Sequence, residues 1–314
     1  MAKFLCITLN PAIDVTLELD TFKIGRVNRV QTAQSRPAGK GLNVAQVLKG
    51  LGHDIYVTGF LGQNNRAVFD EAFTRQGYHN NFVYVAGDTR QNIKIAETAS
   101  PNSGRMTDIN GKGFVVDNAA KRALFANIIQ LAQAVDFVVM SGSLPQQFNL
   151  ADFEKLIQTI QSVNPHLAID SSGEALTIAV NNHPFLLKPN NDELQESFGQ
   201  PANTFTEQQT LLASLASQTP NWVISLGEQG VNWLTSDKNL NAKPPKVTVK
   251  STVAAGDTLL AGVLHGIATH LSPEQTLTLA TALASHTVSQ IGCELPDDKR
   301  LTELSQQVVI SQLN

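Results

Sequence analysis

The feature that most constrains the fold is the alternation of short apolar strands with helical segments. Polar or glycine-containing motifs follow the strands. Ligands of open parallel sheets bind beyond the carboxyl ends of the strands, so these motifs are expected to converge at one edge. The pattern predicts an α/β fold. The strands are 137–140, 167–169, 185–187 and 222–225, and the clearest helical pattern occupies 152–163.

Length and composition favour a single domain, residues 1–314. The chain has 314 residues, of which 42% are hydrophobic and 16% charged, and this suits one large domain with a small appendage. The net charge of −4, without a basic run interleaved with aromatics, argues against a nucleic-acid partner.

No stretch approaches the roughly 20 apolar residues of a membrane helix, and no cationic leader precedes the first strand. We therefore expect no membrane association and a cytoplasmic location. Cys6 and Cys293 are far apart and lack the spacing of metal ligands, so neither a disulfide framework nor a structural zinc site is expected.

The segment 251–262, STVAAGDTLLAG, places a carboxylate at the start of a helix. The small residues Ala254, Ala255 and Gly256 let backbone N–H groups approach an anion closely. Asp257 is electrostatically unfavourable there, at a cost on the order of 1 kcal/mol, and needs a local reason. It either caps the helix or removes a proton from a hydroxyl that attacks a phosphate. The residues alone leave both open.

A second glycine turn, PAGKGLNVAQVLKGLG, occupies 37–52. Gly39 and Gly41 flank Lys40, Asn43 follows, and apolar residues then recur at helical spacing. The spacing matches neither the Walker A motif nor the dinucleotide fingerprint. The segment by itself is either a structural strand-to-helix turn or a ligand-binding loop.

Two stretches, 14–38 and 90–114, interrupt the alternation of strands and helices. Both contain apolar residues at period two, which is typical of strands with one apolar face. In the second stretch, alternation places Arg90, Asn92 and Lys94 on the opposite face. Cations on that shared face could pair with phosphate oxygens. Arg26 and Arg105 are weaker candidates for the same phosphate contact.

Seven ordered motifs cover nearly the whole chain: TLNPAID (8–14), PAGKGLNVAQVL (37–48), SGSLP (141–145), DSSGEAL (170–176), LKPNNDEL (187–194), VISLGEQG (223–230) and STVAAGD (251–257). Together they resemble the PfkB or ribokinase-like family of carbohydrate kinases, in its hexose-phosphate branch. One departure is visible, since the family commonly has glycine where this chain has Ala254.

The resemblance implies a ribokinase-like fold, with a mostly parallel, doubly wound sheet flanked by helices and a small β lid. It also implies a homodimer formed through the lid strands. The expected activity is ATP-dependent phosphorylation of fructose 1-phosphate at its C6 hydroxyl. Tagatose 6-phosphate and fructose 6-phosphate are the alternative substrates, and a non-catalytic sugar-phosphate sensor is the alternative from another class.

The resemblance also assigns roles residue by residue. Asp257 would be the general base, with Ala254, Ala255 and Gly256 around the transferring phosphoryl group. Sugar-phosphate contacts would come from Asp14, Gly39, Lys40, Gly41, Asn43, Arg90, Asn92, Lys94 and Ser141. ATP contacts would come from Lys188, Asn190, Ser225, Leu226, Gly227, Glu228, Gln229, Gly230 and again Gly256. Mg²⁺ would be organised through water by Glu193, with Asp170 joining the metal network.

Overall fold

The computed structural model of the chain describes residues 1–99, 105–215 and 217–313. Its strands are β1 (Lys3–Thr8), β2 (Ala12–Leu19), β3 (Thr32–Ala38), β4 (Asp54–Gly62), β5 (His79–Asn80), β6 (Val83–Val85), β7 (Arg90–Glu97), β8 (Met106–Asn110), β9 (Phe137–Ser141), β10 (Leu167–Asp170), β11 (Leu186–Leu187), β12 (Asn221–Ser225), β13 (Val231–Thr235), β14 (Asn239–Lys243) and β15 (Val309–Gln312).

The helices are α1 (Lys40–Gly50), α2 (Ala67–Gln76), α3 (Asn118–Gln133), α4 (Leu150–Gln161), α5 (Gly173–Asn181), α6 (Asn191–Phe198), α7 (Phe205–Ser214), α8 (Ala255–Ala268), α9 (Pro273–Val288) and α10 (Asp298–Ser305).

The main sheet has the order β15-β14-β13-β12-β11-β10-β9-β1-β4-β5, and β6 also pairs with β4. Pairing is parallel from β5 through β12 and antiparallel from β12 to β15. The predicted α/β fold with a mostly parallel sheet is confirmed. Its parallel strands all present their carboxyl ends at one edge, which is where the predicted motifs lie.

Helices cover both faces of this sheet, because its central strands are apolar on both sides. In β1, Phe4 and Cys6 pack in the cluster that includes residues of α1, α2, α8 and α9. Leu5 and Ile7 pack in the opposite cluster with residues of α3, α4 and α5. This two-sided burial is the doubly wound arrangement.

A separate four-stranded sheet has the order β3-β2-β7-β8. Apart from the first two residues of β2, its strands lie within the two segments, 14–38 and 90–114, in which the sequence predicts strands, although residues 100–104 lie outside the described residues. β2 pairs with β7 in parallel, which sets Asp14 opposite Asn92. We call these four strands the lid sheet.

The sequence predicts neither a disulfide nor a membrane-spanning helix. Cys6 and Cys293 are both buried and are not joined in a disulfide. Within residues 1–99, 105–215 and 217–313, no helix combines the length and hydropathy of a transmembrane span.

Candidate active site

The carboxyl ends of four neighbouring strands carry the polar side chains that the motifs predict. Ser141 ends β9, Asp170 ends β10, Lys188 follows β11, and Ser225 ends β12. Side-chain contacts directly join the first three. The N-termini of α1 and α8 supply further side chains to this cluster, so the structure brings together residues from both halves of the chain.

The start of α8 is an uncapped helix N-terminus. Ala254 precedes the helix with φ 65° and ψ 1°, in the left-handed region, and no side chain caps the helix. The first intrahelical bond is donated by the Thr258 N–H to the Ala254 carbonyl, at 2.9 Å. The Ala255 N–H donates to the Thr252 carbonyl at 3.4 Å, whereas the N–H groups of Gly256 and Asp257 precede the intrahelical ladder and can receive an anion.

Asp257 lies in the first turn of α8 and is only 5% exposed. Its Oδ2 accepts a hydrogen bond of 2.8 Å from Nδ2 of Asn43. Burial, reinforced by the charge of Asp170, raises the pKa of Asp257 to about 6, against the opposing effects of Asn43 and two lysines. A carboxyl group with this pKa is ionised at neutral pH and still accepts a proton readily.

Asp170 is the centre of a buried charge network. Its Oδ1 lies 3.5 Å from Lys188 Nζ and 3.4 Å from Lys40 Nζ. Its Oδ2 accepts a hydrogen bond of 3.2 Å from the Ser141 hydroxyl. Burial raises the pKa of Asp170, but Lys188 and Lys40 outweigh that effect and lower the pKa overall. Asp170 is therefore a fixed negative charge.

Lys40, at the start of α1, contacts carboxylates of the predicted nucleotide side. Its Nζ lies 3.4 Å from Asp170 Oδ1 and 3.8 Å from Glu193 Oε1. Burial opposes its charge, but Asp170, Glu193 and Asp257 together raise the pKa of Lys40. In the described part of the chain, Lys40 contacts neither Arg90 nor Lys94, the two lid residues that are predicted to bind the phosphate of the sugar.

Lys188 places an ammonium group beside the start of α8. The side chain is buried, and a Cβ built on Gly256 would lie 3.3 Å from its Nζ. The cation and the free N–H groups of α8 therefore face the same space. Both would attract phosphate oxygens.

Asn190 and Glu193, predicted for phosphate and metal contacts, form a capping box at the start of α6. Asn190 Oδ1 accepts from the Glu193 N–H at 2.6 Å, and Glu193 Oε2 accepts from the Asn190 N–H at 2.9 Å. The two residues thus close a helix end. Glu193 Oε1, which lies 3.8 Å from Lys40, is left for an outer contact.

The loop after β12, residues 225–230, is held by its own backbone. The Leu226 N–H donates to the Gly230 carbonyl at 2.8 Å, around a single 3-10 turn over Gly227–Gln229. A Cβ on Gly230 would lie 1.9 Å from the Ala242 carbonyl oxygen, so Gly230 is required by strand packing. The exposed residues 227–229 remain open to a ligand.

The lid sheet supplies a second polar group around Asp14, which is buried. Its Oδ1 accepts from Nδ2 of Asn92 at 3.2 Å. Its Oδ2 lies 3.9 Å from Lys94 Nζ and 3.9 Å from Arg36 Nη2. The amide oxygen of Asn92, Oδ1, is buried without a hydrogen-bond partner in the described residues. Asn92 and Lys94 therefore share one face and meet at Asp14.

Arg90 lies on the same strand but binds the backbone. It donates to the Pro11 carbonyl at 3.3 Å, to that of Gly111 at 3.2 Å and to that of Asn10 at 3.1 Å. A guanidinium has five N–H donors, so two remain for a ligand. Burial lowers the pKa of Arg90, against the effect of Asp14.

Gly39 and Gly41 bring α1 close to the end of β1. A Cβ on Gly41 would lie 2.4 Å from Thr8 Oγ1 and 2.7 Å from the Ile7 carbonyl oxygen. A Cβ on Gly39 would lie 2.7 Å from Thr8 Cγ2. The two glycines therefore serve close packing, which in turn fixes the turn of α1 that presents Asn43 to Asp257.

Sequence reasoning did not assign roles to Asn10 and Arg36. Asn10 Oδ1 is buried and has no hydrogen-bond partner among the described residues, while its Nδ2 donates to Ser143 Oγ at 3.2 Å. Arg36 pairs with Asp14 across the β2–β3 register. Asn10 lies within TLNPAID, and Arg36 directly precedes PAGKGLNVAQVL. The sequence alone does not distinguish binding residues at these positions from residues that only form a turn.

Two carboxylates, those of Asp170 and Glu193, are predicted to organise Mg²⁺. In the described ranges, no group of three or more His, Cys, Asp or Glu side chains could hold a metal ion. Mg²⁺ dehydrates reluctantly and is usually bound through substrate phosphates, waters and one or two carboxylates. Asp170 and Glu193 fit such a partial, water-mediated role.

Comparison with known proteins identifies the family. A model described as pfkB family carbohydrate kinase matches residues 3–300. The chain belongs to the pfkB family of carbohydrate kinases. This kinase is 41% identical to a 1-phosphofructokinase of Vibrio cholerae, over 99% of the chain and 97% of the relative. It is 37% identical to a 1-phosphofructokinase of Escherichia coli, over 98% of each.

Solved structures agree on the fold. Phosphofructokinase-2 from Escherichia coli in complex with potassium superposes on this kinase with a TM-score of 0.87, at 23% identity, over 98% of this chain and 99% of that one. The tetrameric inhibited form of the same enzyme gives the same TM-score, identity and coverage. The predicted family and the ribokinase-like fold are both confirmed.

Proposed function

We propose that this kinase transfers the γ-phosphoryl group of ATP to the C6 hydroxyl of fructose 1-phosphate, giving fructose 1,6-bisphosphate. The observation that carries the proposal is the buried carboxylate of Asp257 at an uncapped helix N-terminus, held by Asn43. A carboxylate in an anion site is useful where a hydroxyl must lose a proton. The full-length relatives named 1-phosphofructokinase support this substrate.

Asp257 is the general base of the proposed reaction. It accepts the proton of the C6 hydroxyl as the oxygen attacks the γ-phosphorus, and the pKa of about 6 keeps it ionised at neutral pH. Asn43 fixes the orientation of the carboxylate. The free N–H group of Gly256 stabilises the charge on the transferring group, and the Ala255 N–H contributes once it releases its 3.4 Å bond to the Thr252 carbonyl.

The nucleotide phosphates lie between Lys188 and Lys40 in this proposal. Both ammonium groups flank Asp170, which holds them in place. Phosphoryl transfer depends mainly on positioning and charge stabilisation, which two fixed cations supply. The exposed turn Gly227–Gln229 contacts the adenosine diphosphate part.

Mg²⁺, when bound with ATP, neutralises charge on the phosphates. Glu193 offers Oε1 to water of its hydration shell, because Oε2 is engaged in the helix cap. Asp170 contributes in the same way only through its remaining acceptor capacity. The contribution of the chain is therefore to orient waters and phosphates.

The sugar phosphate occupies the space between α8 and the lid sheet in this proposal. Asp14 and Asn92 bind hydroxyl groups, and the unpartnered oxygen of Asn92 accepts one of them. The phosphate is received by Lys94 and the two free N–H groups of Arg90. Gly39, Gly41 and Ser141 contribute to the site through packing and the placement of neighbours.

The non-catalytic sensor is not favoured. The one feature of the sequence that favours a sensor is Ala254, at a position where the family commonly has glycine. Ala254 adopts φ 65°, which is the conformation that a glycine would supply at that place. The turn geometry is thus retained, and the buried base remains unexplained in a sensor.

A coupled assay of ADP release tests the proposal. Mg·ATP is supplied with fructose 1-phosphate, fructose 6-phosphate or tagatose 6-phosphate at matched subsaturating concentration, and Asp257→Asn is the control for contaminating kinase. Preference for fructose 1-phosphate, with a product that aldolase cleaves, is the expected result. Preference for either 6-phosphate contradicts the substrate, and binding without turnover of any of them contradicts the enzymatic role.

We also propose a homodimer that forms through the lid sheet. In the described residues, β3 and β8 each pair on one side only, and unpaired edges invite another chain. Ile109 on β8 is 51% exposed, and Ile24 and Val27 on the β2–β3 loop are 90% and 88% exposed. Light scattering should give twice the chain mass, and Ile109→Asp should shift it towards the monomer. A monomeric wild type would contradict the proposal.

A further inference from the structure

We propose that Lys112, at the tip of the turn between β8 and α3, contacts the phosphate of the sugar phosphate and determines the preference for a phosphorylated ketohexose. The proposal rests on the proposed function, because it concerns the same substrate. The turn consists of Gly111, Lys112 and Gly113, and we call it the lysine turn.

The lysine turn is fixed at both ends. The Gly111 carbonyl accepts a hydrogen bond of 3.2 Å from Arg90 Nη1, and the Gly111 N–H donates to the Gln91 carbonyl at 3.1 Å. The Gly113 carbonyl accepts 2.7 Å from Nε2 of Gln146. Phe114, the next residue, is buried. The backbone that carries Lys112 is therefore held in place before any ligand arrives.

Both neighbours of Lys112 lie against Arg90. A Cβ on Gly111 would be 3.4 Å from Arg90 Cβ, and a Cβ on Gly113 would be 3.4 Å from Arg90 Cδ. Because Gly111 and Gly113 have no side chains, neither residue blocks the space between Lys112 and the Arg90 guanidinium. A lysine side chain spans about 6 Å, so one phosphate can be reached from both residues.

The cations Arg90 and Lys94, which are proposed to bind the phosphate dianion, are already partly engaged by other groups of the protein. Three of the five N–H groups of Arg90 are engaged by backbone carbonyls. Lys94 lies between Asp14 and Asp108, at 3.9 Å and 3.5 Å. Lys112 is exposed, and across residues 1–99, 105–215 and 217–313 no ion pair involves it. It is therefore a cation beside Arg90 that has no carboxylate partner of its own in those ranges.

A second observation beside the lysine turn points to a ligand. Asn10 is 7% exposed, and its Oδ1 has no hydrogen-bond partner among the described residues. A Cβ on Gly113 would lie 2.9 Å from that oxygen. A buried acceptor without a donor is costly unless a ligand supplies one. A sugar hydroxyl next to the phosphate supplies such a donor.

The test compares Lys112→Ala, Lys112→Arg and the control Lys299→Ala, which removes an exposed lysine of α10. Each variant is assayed with Mg·ATP and fructose 1-phosphate. Unphosphorylated fructose is measured as an alternative substrate or, where turnover is too slow, as a competitive inhibitor. We expect Lys112→Ala to raise the KM for fructose 1-phosphate about tenfold, which corresponds to about 1.4 kcal/mol, with kcat within twofold.

Three further results support the proposal: unchanged constants for fructose, partial recovery in Lys112→Arg, and wild-type constants in Lys299→Ala. An unchanged KM for fructose 1-phosphate in Lys112→Ala overturns it. Equal losses for fructose and fructose 1-phosphate overturn it as well, because they indicate a disturbed turn. If the wild type does not phosphorylate fructose 1-phosphate at all, the proposed function itself fails, which is a distinguishable outcome.

Discussion

Replacement of Asp257 by asparagine should lower activity and raise stability in the same variant. The side chain keeps its shape and an oxygen that can accept from Asn43, but the buried negative charge is removed. The carboxylate costs folding free energy because burial disfavours its charged form. The proposed reaction requires that charge, whereas folding does not.

The magnitude of the stability gain follows from the pKa. A rise from 3.8 to about 6 corresponds to a cost on the order of 3 kcal/mol when Asp257 is ionised. Part of the gain is lost, since Asp257 also supports the charge of Lys40. We therefore expect the free energy of unfolding to rise by about 1–2 kcal/mol. For a chain of this length that is about 1.5–3 °C in Tm.

The pH dependence gives the sign of the effect. Because the pKa of Asp257 is raised in the folded state, the folded protein binds a proton more tightly than the unfolded chain. The cost is therefore complete above about pH 6 and fades as the pH falls towards 4. The Tm difference between the variant and the wild type should be largest at pH 7–8 and should narrow at pH 5.

The activity of the same variant should fall by about 10²–10⁴ in kcat, with nearly normal binding of both substrates. In the wild type, kcat/KM should fall as the pH drops below about 6, because the base becomes protonated. Isothermal titration with each substrate separates binding from turnover. A variant that no longer binds either substrate would contradict the assignment of Asp257 as a base.

Asp170→Asn is the matched control, because it removes the other buried aspartate of the cluster. Lys188 would then be left buried without its carboxylate, and we expect a loss of about 3 kcal/mol of stability. Differential scanning fluorimetry at pH 7.5 compares both variants with the wild type. The reasoning is refuted if Asp257→Asn is destabilised as much as Asp170→Asn.

Three further predictions concern the surroundings of the site. Gly41→Ala should lose at least about 2 kcal/mol in urea unfolding, since its Cβ would lie 2.4 Å from Thr8 Oγ1; an unchanged midpoint would show that α1 can move away. Arg90→Lys should lower the Tm as well as raise the KM for the sugar phosphate, because lysine cannot bridge three carbonyls; a change in KM alone would mean that the backbone contacts are dispensable. Ala254→Gly should raise the free energy of unfolding by about 0.5 kcal/mol with kcat within twofold, and a loss of stability would contradict strain at φ 65°.

The sequence predicted the fold because its local signals agree with one another. Apolar strands and helical segments alternate, and motifs follow the strands, so a parallel sheet places the motifs at one edge. Period-two patterns similarly located β2 and β7 of the lid sheet. These are short-range regularities, and they depend on the polarity of neighbours along the chain rather than on contacts between distant residues.

The partners of the charged residues could not be predicted in the same way. Lys40 and Asp170 are 130 residues apart, and only the packing of α1 against the end of the sheet brings their side chains within 3.4 Å. Arg90 carries the charge expected of a phosphate contact, but three of its N–H groups bind backbone carbonyls. Carbonyl groups leave no signature in a sequence.

At Asn190 and Glu193 the sequence contained a signal that the family resemblance obscured. An asparagine followed three residues later by glutamate before a helix is the pattern of a capping box. Both side chains make those capping bonds in the structure. The proposed metal role therefore falls to one carboxylate oxygen of Glu193, which is compatible with the cap.

The assignment of the base depends on a difference between two aspartates that look alike in the sequence. Asp170 and Asp257 are both buried and lie in one charge cluster. Lys188 and Lys40 lower the pKa of the first, while burial and the charge of the first raise the pKa of the second. Environments that move two pKa values apart in this way separate a fixed charge from a proton acceptor. In the proposed reaction, Asp170 therefore acts by remaining ionised, since its negative charge helps to raise the pKa of Asp257, the proposed proton acceptor.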